Sequence, residues 1–525
     1  MKVLWHGGTI YTMEAEGATA EAVLVSDDHI EKVGTYEELK QWADKEIDLQ
    51  GKSMYPGFVD SHMHMIGHGE KLMRVDLSKI ESSEEMREQL VESTQGLSKE
   101  EWFIGEGWNE NNFADRKIFH RHELDEISES PMMLKRVCRH AILANSSALA
   151  LAGITKDSPD PEGGVIVRDA DGEPTGYLLD AAQDLVANQV PEVSVEYLTR
   201  ALQKSVDNLL SLGLTGAHTE DMGYYGHYSR PLQAFKNVIG DQVKFRAHLL
   251  RAHSAFEDMM ENATYAEPFV DPGPMKIFSD GSIGGRTALL SKPYNDDPST
   301  IGVAIQSDEE FKRLVSIARK HGEAVAIHVI GDLGLEMALD AIEAHPVPSG
   351  KRDRLIHAMV VREDLVERMK KIDVALDLQP SFVTSDFPWV VERLGESRLE
   401  WAYAWKKLLE HGLICAGGSD APIEEVDPCL GIYAAVTRRK PYETHEGYQP
   451  EEKLSRFEAI QLYTSGSAAA IGKETERGVI LEGFDADFTI FDRDLFRGNE
   501  EQILEAQAVM TVVAGEIMYQ KGGQE

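Results

Sequence analysis

Over roughly the first fifty residues, apolar and polar positions alternate with a period of two, in "KVLWHGGTIYTM" and "AEAVLVSDDHIEKVG". The runs break at Gly7-Gly8 and at Asp27-Asp28. Such alternation, punctuated by turn residues, predicts short half-buried strands in hairpins. The closing stretch reads the same way, in "GVILEGFDADFTIFDRD" and in "AVMTVVAGEIMYQ", which turns at Gly515. Two β-rich ends predict a composite β-sandwich domain assembled from residues 1–53 and 466–525.

Between them the pattern changes. Residues 54–465 show short strand-type runs alternating with helix-period segments. The runs are "MYPGFVDSH", "LTGAHTE", "KFRAHLL", "PMKIFSD", "EAVAIHVIG", "RLIHAMVV", "VALDLQP" and "LICAGGSD". Helical patterns such as "DEEFKRLVSIARKHG" and "LGLEMALDAIEAH" follow several of them. Eight strands, buried on both faces and separated by helices, predict an α/β fold, a distorted (β/α)8 TIM barrel. After the first strand about 120 residues pass before the next barrel helix, far more than a loop in a compact domain. They carry strand and turn signals of their own, in "EWFIGEGW", "MMLKRVCRHAILAN" and "GGVIVRDADGEPTGYLL". An inserted α+β subdomain over 75–191 is therefore expected, entering at the carboxyl face of the barrel where it would cover the active site.

Composition narrows the classes of function. With 53 Lys+Arg against 90 Asp+Glu the formal charge is −37, which argues against a nucleic-acid partner. The three cysteines, Cys138, Cys415 and Cys429, lie far apart, excluding a disulfide scaffold and fitting a reducing cytoplasm. No run of 18 apolar residues predicts a membrane span, and the amino terminus lacks a signal-peptide pattern. The expectation is an acidic cytoplasmic protein whose size permits a homodimer.

The candidate chemistry sits at strand ends. His62 and His64 close the first run; two apart on a strand, they face the same side and can reach one ion. Among 18 histidines such a pair is weak by itself, and His120-Arg121-His122, in a charged stretch, reads as a solvated face. His328, His357 and Asp420 add ligand types at the carboxyl ends of three further strands, where barrel active sites are built. Lys276 falls on a lumen-facing position between Met275 and Ile277. It reads either as an amine carboxylated beside metal ions or as a barrel lysine paired with Asp280 or another carboxylate.

The order HxH, Lys, His, His, Asp resembles the amidohydrolase superfamily in its binuclear, carboxylated-lysine form. The motifs "PGFVDSHMH", "GEGWNENNF", "GLTGAHTED", "KIFSDGSIGGRTALL", "AIHVIGDLGLEMALDAIE" and "GGSDAPI" resemble its long branch, which contains N-substituted formamide deformylase. The resemblance implies hydrolysis of an amide or N-formyl/N-acyl C–N bond in a small molecule. By it, His62, His64 and Asp420 would hold one ion, and His328 with His357 a second. A carbamate on Lys276, made from carbon dioxide, and a hydroxide would bridge the two. Asp420 would be the general base and then acid. Ligand types favour one or two zinc ions, with manganese, iron or cobalt as alternatives.

Two departures stand out. Cys138-Arg139-His140 replaces the Asp-Gly that usually precedes the histidine of the insert, and Ile356 replaces an acidic residue beside His357, leaving the support of that ligand in question. Trp108, Arg139, His140 and Arg286 are substrate-pocket candidates. A deaminase of the same superfamily would carry Glu where Gly331 stands, and a non-catalytic regulator on the same fold would tolerate loss of ligands that are all present here.

Overall fold

A computed structural model of the chain describes residues 1–99, 101–136, 141–161, 163–191 and 193–522. The chain divides into two compact units, one of Met1–Gly69 with Val195–Glu525 and one of Glu70–Ser194. Among the described residues no helix is long and apolar enough to cross a membrane.

The first unit contains an eight-stranded parallel sheet whose spatial order follows the chain. Its strands are β1 (Phe58–Met63), β2 (Leu214–Thr219), β3 (Arg246–Ala252), β4 (Val270–Phe278), β5 (Val325–Val329), β6 (Asp353–His357), β7 (Val374–Leu378) and β8 (Ile414–Gly417). β2, β3, β6 and β7 are buried at every position, their charged residues included, as a sheet covered on both faces requires. The fold is a distorted (β/α)8 barrel. Its seam closes just beyond β8, where the Asp420 N–H donates to the His62 carbonyl at 2.8 Å. The Ser419 N–H and hydroxyl both donate to Asp60, the hydroxyl at 2.6 Å. Gly418 permits this approach, because a Cβ there would stand 2.5 Å from the His62 nitrogen and 2.7 Å from Asp60 Oδ1. In the lumen, buried Arg354 on β6 pairs with Asp377 on β7 at 2.7 Å and donates to the Ser61 carbonyl at 2.6 Å, tying three strands together.

The helix Asp308–Lys320 shows how the outer layer forms. Ser307 caps it by accepting from the Glu310 N–H, its first turn is acidic and its last basic. Phe311, Leu314, Val315 and Ala318 fall on one stripe and are buried. At its end Arg319 reaches Asp353 at 2.6 Å, fixing the entry to β6.

Strands from both termini form a further eight-stranded sheet. Ser53–Pro56 lies parallel to Lys2–Tyr11 and antiparallel to Phe488–Phe491, over a core that includes Trp5, Val23, Met54, Phe488, Ile490 and Val512. The chain then passes through Gly57 directly into β1, so this sheet anchors the strand that carries His62 and His64.

The second unit holds a six-stranded sheet with a hydrophobic cluster built around Leu77, Trp108, Met132 and Leu134 and another around Met133, Ile142, Ile166 and Leu178. His120 caps the short helix Arg121–Asp125 and His122 is exposed beside Asp125, so this second HxH pair is a helix start and no ligand set.

Candidate metal centre

His62 and His64 leave the end of β1 on the same side, and Asp420 meets them from the loop after β8. Ligand atoms of the three residues lie within 4.8 Å of one another, and among the described residues they are the only group of three metal-ligand side chains so arranged. His62 Nε2 is 3.6 Å and His64 Nε2 3.3 Å from Asp420 Oδ1. His64 Nδ1–H donates to the Glu220 carbonyl at 2.6 Å, which leaves Nε2 as the atom facing the carboxylate. Asp420 and His357 both adopt left-handed backbone angles, with φ 56° and 78°, uncommon for residues with a Cβ. Strain of that kind persists where surrounding contacts over-determine it, here the Asp420 N–H to His62 carbonyl bond and the Ala358 N–H to Val329 carbonyl bond.

The remaining histidines gather beside this group. The His357 ring centroid lies 5.6 Å from that of His62 and 4.6 Å from that of His328. Gln379, immediately after β7, donates its Nε2 to the Asp377 carbonyl at 3.1 Å, which turns its Oε1 toward His357. His357 Nδ1–H donates to that oxygen at 2.8 Å, leaving Nε2 free to ligate. The support left in question by Ile356 thus comes from the neighbouring strand. Ile356 itself packs with Leu250 and Ala326. His328 Nε2 donates to the Gly281 carbonyl at 3.2 Å. Near it, burial pushes Asp280 up to about 6 although its oxygens accept from the N–H groups of Leu289, Ile330 and Gly331.

Electrostatics prepare the group for a cation. Burial, reinforced by the charge of Lys276, holds His62 and His328 well below the ordinary imidazole range, and burial also lowers His357. These three are neutral donors at physiological pH. For His64 burial acts downward, but the hydrogen bond and charge of Asp420 outweigh it and push the ring up to about 9. Burial acts upward on Asp420, yet the His64 hydrogen bond and the charges of His357, His64 and Lys276 bring it below the usual carboxylate range. The His62–His64–Asp420 set thus holds a proton at the centre of a ligand cluster, and its donor chemistry fits a divalent ion of the zinc type.

Lys276 is 1 % exposed, and its Nζ lies 2.8 Å from Glu220 Oε2 and 4.8 Å from the Phe278 ring centroid. Lys276 is thus paired with a carboxylate, which is Glu220 and not Asp280. Glu220 and Gln379 escaped sequence reading. Their signal was a polar residue just past the carboxyl end of an apolar strand, in "GAHTED" and "ALDLQP".

The pocket candidates fare differently. Trp108 is fully buried in the core of the second unit, with Nε1 donating to the Leu134 carbonyl at 3.0 Å, so its ring belongs to packing and presents no face to a ligand. Arg286 is committed to Asp296 at 2.8 Å, an aspartate it shares with Arg393, and so is an ion-paired surface arginine. Arg139 and His140 lie outside the described residues.

Residues 45–519 match the amidohydrolase family model. The YtcJ protein of Bacillus subtilis (strain 168) is 50% identical, the alignment covering 99% of this chain and 100% of that one. N-substituted formamide deformylase of Arthrobacter pascens is 28% identical over 98% of this chain and 97% of its own. The crystal structure of an uncharacterized metal-dependent hydrolase from Pyrococcus furiosus superposes with a TM-score of 0.78 at 29% identity, covering 95% of this chain and all of that one (100%). With the ligand cluster at the carboxyl ends of the barrel strands and the match spanning nearly the whole length, the chain belongs to the amidohydrolase family.

Proposed function

We propose that this protein is a metal-dependent hydrolase that cleaves a carbon–nitrogen bond in a small amide of the N-formyl or N-acyl type. The observation that carries the reading is the convergence of His62, His64 and Asp420 within 4.8 Å at the rim of the barrel. A divalent ion held there supplies Lewis acidity, lowering the pKa of a water and polarising an amide carbonyl. Zinc suits the imidazole–carboxylate donor set, and manganese, iron or cobalt would serve in its place.

The chain's own residues do the rest. Asp420, kept ionised by the hydrogen bond and charge of His64 and the charge of Lys276, takes a proton from the attacking water and returns it to the departing amine. The amine must leave protonated, since an amide anion is far too basic to depart. Gln379 holds the His357 ring with Nε2 free, and the Glu220 carbonyl does the same for His64. The name of the deformylase relative supports a formamide or related amide as substrate.

The test is a panel of N-formyl, N-acyl and cyclic amides offered to metal-reconstituted protein, with Asp420→Asn beside wild type. Turnover of at least one amide by wild type alone is expected. Failure on every amide, together with turnover of an ester or aminopurine panel, would contradict the reading.

A further inference from the structure

The contact between Lys276 and Glu220 bears on how many ions the centre holds. Glu220 follows β2, and its backbone is locked to β1. Its N–H donates to the Met63 carbonyl at 3.0 Å and its carbonyl accepts from His64 at 2.6 Å. The side chain is 2 % exposed, so its carboxylate is delivered into the lumen from a fixed point. There Oε2 stands 2.8 Å from Lys276 Nζ. That oxygen accepts no well-aligned hydrogen bond, so the contact is an ion pair held by charge more than by direction.

We propose that the Glu220–Lys276 ion pair takes the place of a second ion and of a carbamate, so that the centre works with one divalent ion on His62, His64 and Asp420. The proposal rests on reading that cluster as the hydrolytic metal site. Two observations support it. A carbamate would add a carbon about 1.3 Å from Nζ and two anionic oxygens beyond it. The Glu220 carboxylate oxygen, 2.8 Å from the same nitrogen, would then meet like charge in a buried space. The His62–His64–Asp420 group brings three ligand atoms within 4.8 Å of one another without the lysine.

The experiment reconstitutes full-length apoprotein with zinc, with and without ¹³C-labelled bicarbonate, and reads metal per chain by elemental analysis and the lysine by ¹³C NMR. Wild type is expected to bind one zinc per chain, unaffected by bicarbonate, with no carbamate resonance. Glu220→Gln keeps the shape and removes the anion. With bicarbonate, its lysine should then give up its ammonium proton, form a nitrogen–carbon bond with carbon dioxide as the neutral amine, and release a second proton to solvent. A carbamate signal and a rise toward two zinc ions should follow. Lys276→Arg preserves the charge pair and cannot form that carbamate, so it guards against misfolding of the first variant and should keep one zinc. Two bicarbonate-dependent ions and a carbamate resonance in wild type would overturn the proposal while leaving the metal-hydrolase reading intact. Loss of zinc in Lys276→Arg, with the fold retained by circular dichroism, would also overturn it. Absence of any zinc in wild type would instead defeat the underlying reading.

Discussion

At the scale of single residues, the account assigns separable tasks to groups that nearly touch. Asp420 carries protons, so Asp420→Asn is expected to lower kcat by several orders of magnitude, with a smaller loss of bound metal. Steady-state kinetics beside elemental analysis would show it, and a variant within about tenfold of wild type would move the proton role elsewhere. Gln379 carries no proton but aims His357; Gln379→Leu, similar in volume, is expected to cost about 10–100-fold in activity. His64 sets the pH dependence of loading. In the metal-free protein it is pushed up to about 9, so below that pH an incoming ion must displace its proton. Affinity for zinc should therefore weaken as pH falls from about 8 to 6, by roughly tenfold per unit, in competitive chelator titrations. A flat profile would remove His64 from the ligands.

These residues were unequally legible in the sequence. His62, His64, His328, His357 and Asp420 are ligand types at the ends of apolar runs, and the barrel brings such ends to one face whatever lies between them. Gln379 and Glu220 were not, because each matters through a hydrogen bond or ion pair to a partner distant in sequence, 22 residues for Gln379 with His357. Trp108 misled for the opposite reason. A tryptophan in a glycine-rich motif invites a pocket reading, and only packing against Leu77, Met132 and Leu134 shows it to be core.

At the scale of elements, the seam between β1 and β8 and the lumen pair beneath it keep the ligands in register. Arg354 and Asp377 are 1 % and 0 % exposed, so removing the carboxylate leaves a buried guanidinium without its counter-charge. Asp377→Ala is expected to cost about 3–5 kcal/mol in denaturant unfolding. A change within about 0.5 kcal/mol, the range of ordinary surface substitutions, would mean that the pair adds nothing to the barrel. The alternation of strand-type runs with helical patterns announced all eight strands, as a parallel barrel requires. The exchange at Gly418 was not readable there, because the demand for glycine comes from a strand more than 350 residues away, Asp60 to Ser419.

At the scale of the whole molecule, one ion links the first strand of the barrel to the loop after the last. Binding to the folded state alone should raise Tm, in step with free metal, and chelation should lower it. The net charge of −37 favours attraction of cations and disfavours anionic partners, which suits a metal-loaded site for a small amide. The most direct test of the central claim is to titrate chelated, full-length protein with zinc and follow hydrolysis of the best amide from the panel. The account predicts no turnover in the apoprotein and a rise that breaks sharply at a whole number of ions per chain. Undiminished turnover of that amide by protein shown to be free of metal would contradict it.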